Sequence, residues 1–136
     1  MARPASLETF PIHLARGGRA ETQPAFPQDE RAGQWYADYA LRHAADGADG
    51  WLVSSYRFTA DWTSWEMHPA GAEVVICTAG SMVLLQEDGQ GAVTRTPLHA
   101  GDCAINPPGT WHTADVEQEA TAIFITCGEG TQHRER

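Results

Sequence analysis

Residues 60–80 read ADWTSWEMHPAGAEVVICTAG and residues 101–116 read GDCAINPPGTWHTADV, and these two stretches decide the fold. In the first, Glu66 and His68 stand at i and i+2, so on a strand both side chains leave the same face, about 6–7 Å apart at the backbone. Pro69-Ala70-Gly71 then turns the chain, and Glu73 opens the apolar run Val74–Cys77. In the second, Pro107-Pro108-Gly109 makes a rigid turn that delivers His112 to a further strand.

The same signal, short apolar segments between turn residues, extends in both directions from this pair. Strands are predicted at Trp51–Thr59, Trp62–His68, Glu73–Thr78, Ser81–Glu87, Ala92–His99, Cys103–Asn106, His112–Val116 and Ala120–Cys127. Eight short strands without alternating helices predict an all-β sandwich or barrel with antiparallel pairing. Some strands are apolar on both parities: Met82 and Leu84 alternate with Val83 and Leu85, and Phe124 with Ile123 and Ile125. Strands of that kind are covered on both faces, either by the first 50 residues or by a second subunit. Before residue 50 one helix is predicted, Arg31–Ala45, capped by Asp29 and stopped by Asp46-Gly47. Trp35 and Tyr39 share one face of it, which either packs an aromatic pair on the main domain or lids a pocket. The expected organisation is an N-terminal arm and helix over 1–50 packing on the barrel, a barrel over 51–127 and a polar C-terminal tail over 128–136.

Composition removes several function classes. The chain has 136 residues, a formal net charge of −9, and nine bases that are all arginine. Without lysine there is no Schiff base, no lysine general base and no phosphate-loop lysine. Nucleic acid binding needs clustered positive charge that an acidic chain does not offer. No apolar run approaches the roughly 20 residues of a spanning helix, so no membrane partner is expected, and the N-terminus shows no apolar secretory core, which makes the cytoplasm the expected location. Cys77, Cys103 and Cys127 form no C-x-x-C and read as small buried hydrophobes. No G-x-S-x-G occurs, so a serine nucleophile has no support.

What remains is the cluster itself. Glu66, His68, Glu73 and His112, from three neighbouring strands, could meet inside a barrel as a mixed nitrogen and oxygen donor set suited to one divalent transition metal (Fe, Mn, Ni or Zn). His68, Glu73 and His112 alone would make a 2-His-1-carboxylate triad. A barrel without metal is the competing reading, but it would bury two carboxylates side by side, and they cannot both stay ionised cheaply.

At these residues the sequence resembles the cupin superfamily. Its first motif, G-x5-H-x-H-x3-4-E-x6-G, is matched at His68, Glu73 and Gly80; its second, G-x5-P-x-G-x2-H-x3-N, at Gly101, Pro107, Gly109 and His112. Ala60 stands at the leading glycine position, Val116 at the terminal asparagine position, and Glu66 at the place of the first histidine. The resemblance implies a double-stranded β-helix (jelly-roll) barrel with a central divalent metal. It further implies a metal-dependent enzyme acting on a small organic molecule, oxygenase- or isomerase-like; the alternative is a non-catalytic small-ligand binding or sensor protein. Glu66 is expected either to complete the ligand set or to act as a catalytic general base. Trp62 and Trp111 either line the pocket or pack in the core, while His13, His43, His99 and His133 read as surface or structural residues. On the Glu66 strand, Trp65 and Met67 would face outward, and such residues are enriched at interfaces, so a homodimer is expected.

Overall fold

The computed structural model describes residues 3–136, and its order is ten strands with one helix and one 3-10 turn between the second and third. The strands are β1 (Ile12–Ala15), β2 (Arg19–Thr22), β3 (Trp51–Phe58), β4 (Ser64–Met67), β5 (Glu73–Glu87), β6 (Val93–His99), β7 (Cys103–Asn106), β8 (His112–Asp115), β9 (Ala120–Thr126) and β10 (Gln132–Glu135). The helix α1 spans Ala32–Arg42, and the 3-10 turn follows at Ala44–Asp49. This is the all-β jelly-roll barrel that the motifs imply. No helix among the described residues is long and apolar enough to cross a membrane.

One strand organises the barrel. β5 runs for 15 residues and belongs to both sheets. Its first half pairs antiparallel with β7 and β9, and β9 continues through β3 and β1 to β2. Its second half pairs with β6 and β8, and β8 continues through β4 to β10. The sequence reads this strand as two, because Thr78-Ala79-Gly80 looks like a break. It is instead a β-bulge between Cys77 and Ala79. The extra residue inverts the inward parity: Glu73, Val75 and Cys77 are buried before it, and Met82 and Leu84 after it. Val75, Cys77, Met82 and Leu84 join Leu98, Ala114, Val116, Ala120, Ala122 and Phe124 in one core cluster. Gly80 is held at φ 68°, and a Cβ there would come within 2.1 Å of the Glu119 carbonyl oxygen. Glycine alone fits that approach.

The N-terminal residues do not stand apart from the barrel. β1 adds to the edge of β3, and α1 packs against β3 residues through its aromatic side chains. Trp35 stacks on Tyr39 at 5.7 Å, with Phe26 edge-on at 5.1 Å, and these rings pack with Leu52 and Tyr56. The aromatic face packs on the barrel through Trp35, and Tyr39 also lines the cavity described below. Asp29 accepts the Arg31 backbone N–H and guanidinium rather than capping the helix, whose N-cap residue, Arg31, makes no side-chain capping bond. Beyond Cys127, where sequence suggests a tail, β10 pairs with β4. Cys77 and Cys127 are buried, but Cys103, on the edge strand β7, is exposed.

Candidate metal centre and cavity

Strand ends bring the four candidate residues together. Glu66 lies on β4 directly opposite His112, the first residue of β8. His68 follows β4, and Glu73 is the first residue of β5. One donor atom from each lies within 4.8 Å of the others. Glu73 Oε2 is 3.2 Å from His68 Nε2, and Glu73 Oε1 is 3.2 Å from His112 Nε2. Glu66 Oε2 lies 3.9 Å from His68 Nε2 and 3.7 Å from His112 Nε2. His68, Glu73 and His112 are buried, whereas the Glu66 side chain keeps 29% of its exposure.

The hydrogen bonds around the rings fix which nitrogen faces inward. His112 Nδ1 donates to the Thr110 carbonyl at 3.1 Å. The Thr131 hydroxyl donates its only proton to the Gly128 carbonyl, so at 2.7 Å it accepts from His68 Nδ1–H. Both rings therefore turn Nε2 toward the carboxylates, and both Nε2 atoms are buried without a hydrogen-bond partner. The oxygens are near enough but not in line with the ring nitrogens. Unpaired buried polar atoms are rare; here two of them and two carboxylates surround one point.

Glu73 is held for that point from behind. Asn106 Nδ2 donates to Oε1 at 3.1 Å and Thr126 Oγ1 to Oε2 at 2.6 Å, while Gln86 donates to Asn106 at 2.7 Å. Burial opposes ionisation of Glu66, yet the imidazoles of His112 and His133 bring it down to about 2. Glu73 is likewise opposed by burial and held still lower by His112 and His68. Burial also disfavours a charged His112, but the two carboxylates raise it to about 9. The cluster thus demands positive charge. A proton on His112 meets part of that demand, and a divalent cation with two carboxylates would meet it fully, so the donor set fits a metal.

A cavity of about 1050 Å³ opens over Glu66, His68 and Glu73. Trp62 is among its lining residues, as one sequence reading has it, and its ring lies 6.4 Å from that of His112. Trp111 is not. It comes immediately before β8, and the Arg134 guanidinium sits 4.6 Å from its ring centre and 5.2 Å from that of Trp65. The outward face of β4 is thereby covered at Trp65 by the chain's own β10.

His133 is exposed, as the sequence reading has it, with 58% of its side chain accessible, and it also faces Glu66 across the β10–β4 pairing, with Nε2 3.2 Å from Glu66 Oε1, at the edge of the cavity. Thr131, Asn106, Thr126 and the cavity tyrosines Tyr36 and Tyr56 were also beyond sequence reading; the Thr131-x-His133 spacing, matching Glu66-x-His68, was the one available signal. A second group, His13, His43 and Asp46, is close enough to hold an ion. Its atoms are already paired: Tyr39 donates to His13 Nδ1 at 2.6 Å, His13 Nε2–H donates to Asp46 at 2.8 Å, and His43 bonds Gln23 at 2.9 Å.

A sequence profile of the cupin domain matches residues 59–128. Among solved structures, a double-stranded β-helix protein from Klebsiella pneumoniae subsp. pneumoniae is 23% identical, with 63% of this chain and 76% of that one covered and a TM-score of 0.52. Peruvianin-I, a cysteine peptidase from Thevetia peruviana latex, is 21% identical over 62% of this chain and 56% of its own, with a TM-score of 0.52. An oxalate oxidase in complex with glycolate is 14% identical over 60% and 45%, again with a TM-score of 0.52. The chain thus spans about half the length of the last two, and these likenesses are of fold alone. No curated protein matches it. Thr131, His133 and Arg134 lie beyond the matched residues.

Proposed function

The chain belongs to the cupin domain family, and from that premise we propose that Glu66, His68, Glu73 and His112 hold one divalent transition metal and that the cavity above them receives a small organic molecule for metal-dependent chemistry. One observation carries this reading. Two buried imidazole Nε2 atoms without a hydrogen-bond partner, each turned inward by the bond on the ring's other nitrogen, face two carboxylates. A divalent cation would use all four groups.

A bound divalent ion would supply Lewis acidity and a site for a substrate oxygen. The chain's own residues do the rest. Thr131 and Thr110 hold the rings in place, and Asn106 and Thr126 hold Glu73. Glu66 is the fourth donor and the one nearest the cavity opening, consistent with its greater exposure. His133, at its other oxygen, is the group placed to receive a proton at the cavity wall.

The test is metal content. Protein stripped with a chelator and reconstituted separately with Fe, Mn, Ni, Co and Zn should retain about one ion per chain of at least one metal, and His112→Ala should lose it. Folded protein that retains none of the five overturns the reading.

A further inference from the structure

The cavity wall has a chemical bias that narrows what it takes. Tyr36, Tyr56, Phe58, Trp62 and Phe124 supply aromatic surface. Their rings form a continuous wall: Phe58 to Trp62 at 5.4 Å, Trp62 to Phe124 at 5.8 Å, Phe124 to Tyr56 at 5.8 Å. Through Trp62 that wall reaches His112. The Tyr36 and Tyr56 hydroxyls bond each other, and burial raises both phenols, Tyr56 to about 12, so both stay neutral.

Apart from its histidines, the wall carries charge of one sign. Asp29, Asp61, Glu66, Glu73 and Glu129 line the cavity, and no arginine does, in a chain without lysine. Asp29 is matched by Arg31 outside the wall, and Asp61 accepts the Val116 N–H at 2.7 Å. Nothing in the lining offers a guanidinium or ammonium to a carboxylate ligand. A divalent ion would be neutralised by Glu66 and Glu73, so a bound anion would find no arginine or lysine in the lining to offset its charge. One donor is unused: Trp62 Nε1 is buried with no partner.

We propose that this cavity takes a flat aromatic or heteroaromatic molecule that is uncharged at neutral pH and carries an oxygen or nitrogen accepting the Trp62 N–H, and that it rejects aromatic carboxylates. The proposal rests on the reading of this cavity as the ligand site, and it deepens that reading by fixing the ligand's charge and shape. Stacking on the rings favours flatness, the unpaired N–H favours an acceptor, and the acids disfavour an anion.

Benzamide, benzoate and cyclohexanecarboxamide make a suitable probe set, nearly equal in size and differing in charge or in flatness. Each would be titrated by calorimetry into the full chain, both zinc-loaded and chelator-treated. Benzamide should bind about tenfold tighter than benzoate in both preparations, and more tightly than cyclohexanecarboxamide. Trp62→Phe, which keeps a ring but removes the N–H, should weaken benzamide about fivefold. Ala37→Arg, on the exposed side of the wall and away from the metal cluster, should raise benzoate affinity. Benzoate binding as tightly as benzamide in either preparation, no binding of benzamide, or Trp62→Phe without effect overturns the proposal. Absence of zinc uptake with the amide preference intact overturns the metal reading alone.

Discussion

The Thr131 hydroxyl sits 2.7 Å from His68 Nδ1 and gives its own proton to Gly128, so it serves His68 only as an acceptor. A side chain outside the matched cupin residues thus sets the tautomer of a residue inside them. Thr131→Val keeps the shape and removes the acceptor. Metal affinity should fall about tenfold to a hundredfold, as loss of such outer contacts does, and Thr131→Ser should restore it. Competition titration against a chromogenic chelator measures both, and equal affinity in the wild type and Thr131→Val would show that His68 needs no such support.

Glu66 stands where its family carries a histidine, and Glu66→Gln separates its two expected roles. As a ligand, it should cost at least about tenfold in metal affinity when its charge is removed. Undiminished affinity together with lost turnover would make Glu66 a general base instead. Metal titration read beside an activity assay distinguishes the two.

Stability and metal affinity should run oppositely with pH. His112 is raised from 6.5 to about 9 in the metal-free fold, so its contribution is fully present below pH 6.5 and disappears as pH rises through 9. Glu66 is lowered from 4.5 to about 2, so its contribution is present above pH 4.5 and disappears as pH falls through 2. Metal-free protein should therefore be most stable between these windows, near pH 4.5–6.5, and lose on the order of a few kcal/mol toward pH 9. Metal must displace the His112 proton, so its affinity should climb over the same rise from 6.5 to 9. Thermal melts of chelator-treated protein and zinc titrations at matched pH values test this. Parallel slopes would contradict it.

Gly80→Ala should destabilise the fold by about 2 kcal/mol or more, through a positive φ and a clash with backbone that cannot move aside. Denaturant midpoints measure it. Gly89→Ala is the control, because it lies on a hairpin where an added Cβ meets nothing within 4 Å.

The strands and the four cluster residues were legible because they obey local rules: parity along a strand, and turns marked by proline and glycine. Glu66 and His68 needed only i, i+2 spacing, and His112 only the turn before it. β1, β2 and β10 were not legible; β10 is polar throughout and forms only because β4 offers an edge. His133 joins the cluster by that same pairing, which no local pattern announces. Trp111 comes immediately before β8 and sits by Arg134 instead of lining the cavity. The covering of Trp65 by Arg134 depends on a cation arriving from the far end of the chain, which no local pattern announces.

Thr78, the extra residue of the β5 bulge, has an exposed side chain whose hydroxyl bonds only the Thr121 carbonyl. Most replacements there should pass almost unnoticed. Removing the residue is another matter, because the count of residues between Glu73 and Met82 determines that both face inward. A one-residue deletion would behave like a frameshift in three dimensions: with Glu73 kept in place, the β5 residues beyond the lesion would exchange inside for outside. Natural variation along this strand should accordingly be free in letter at Thr78 and rigid in length, and an insertion or deletion scan would expose that contrast where a substitution scan would miss it.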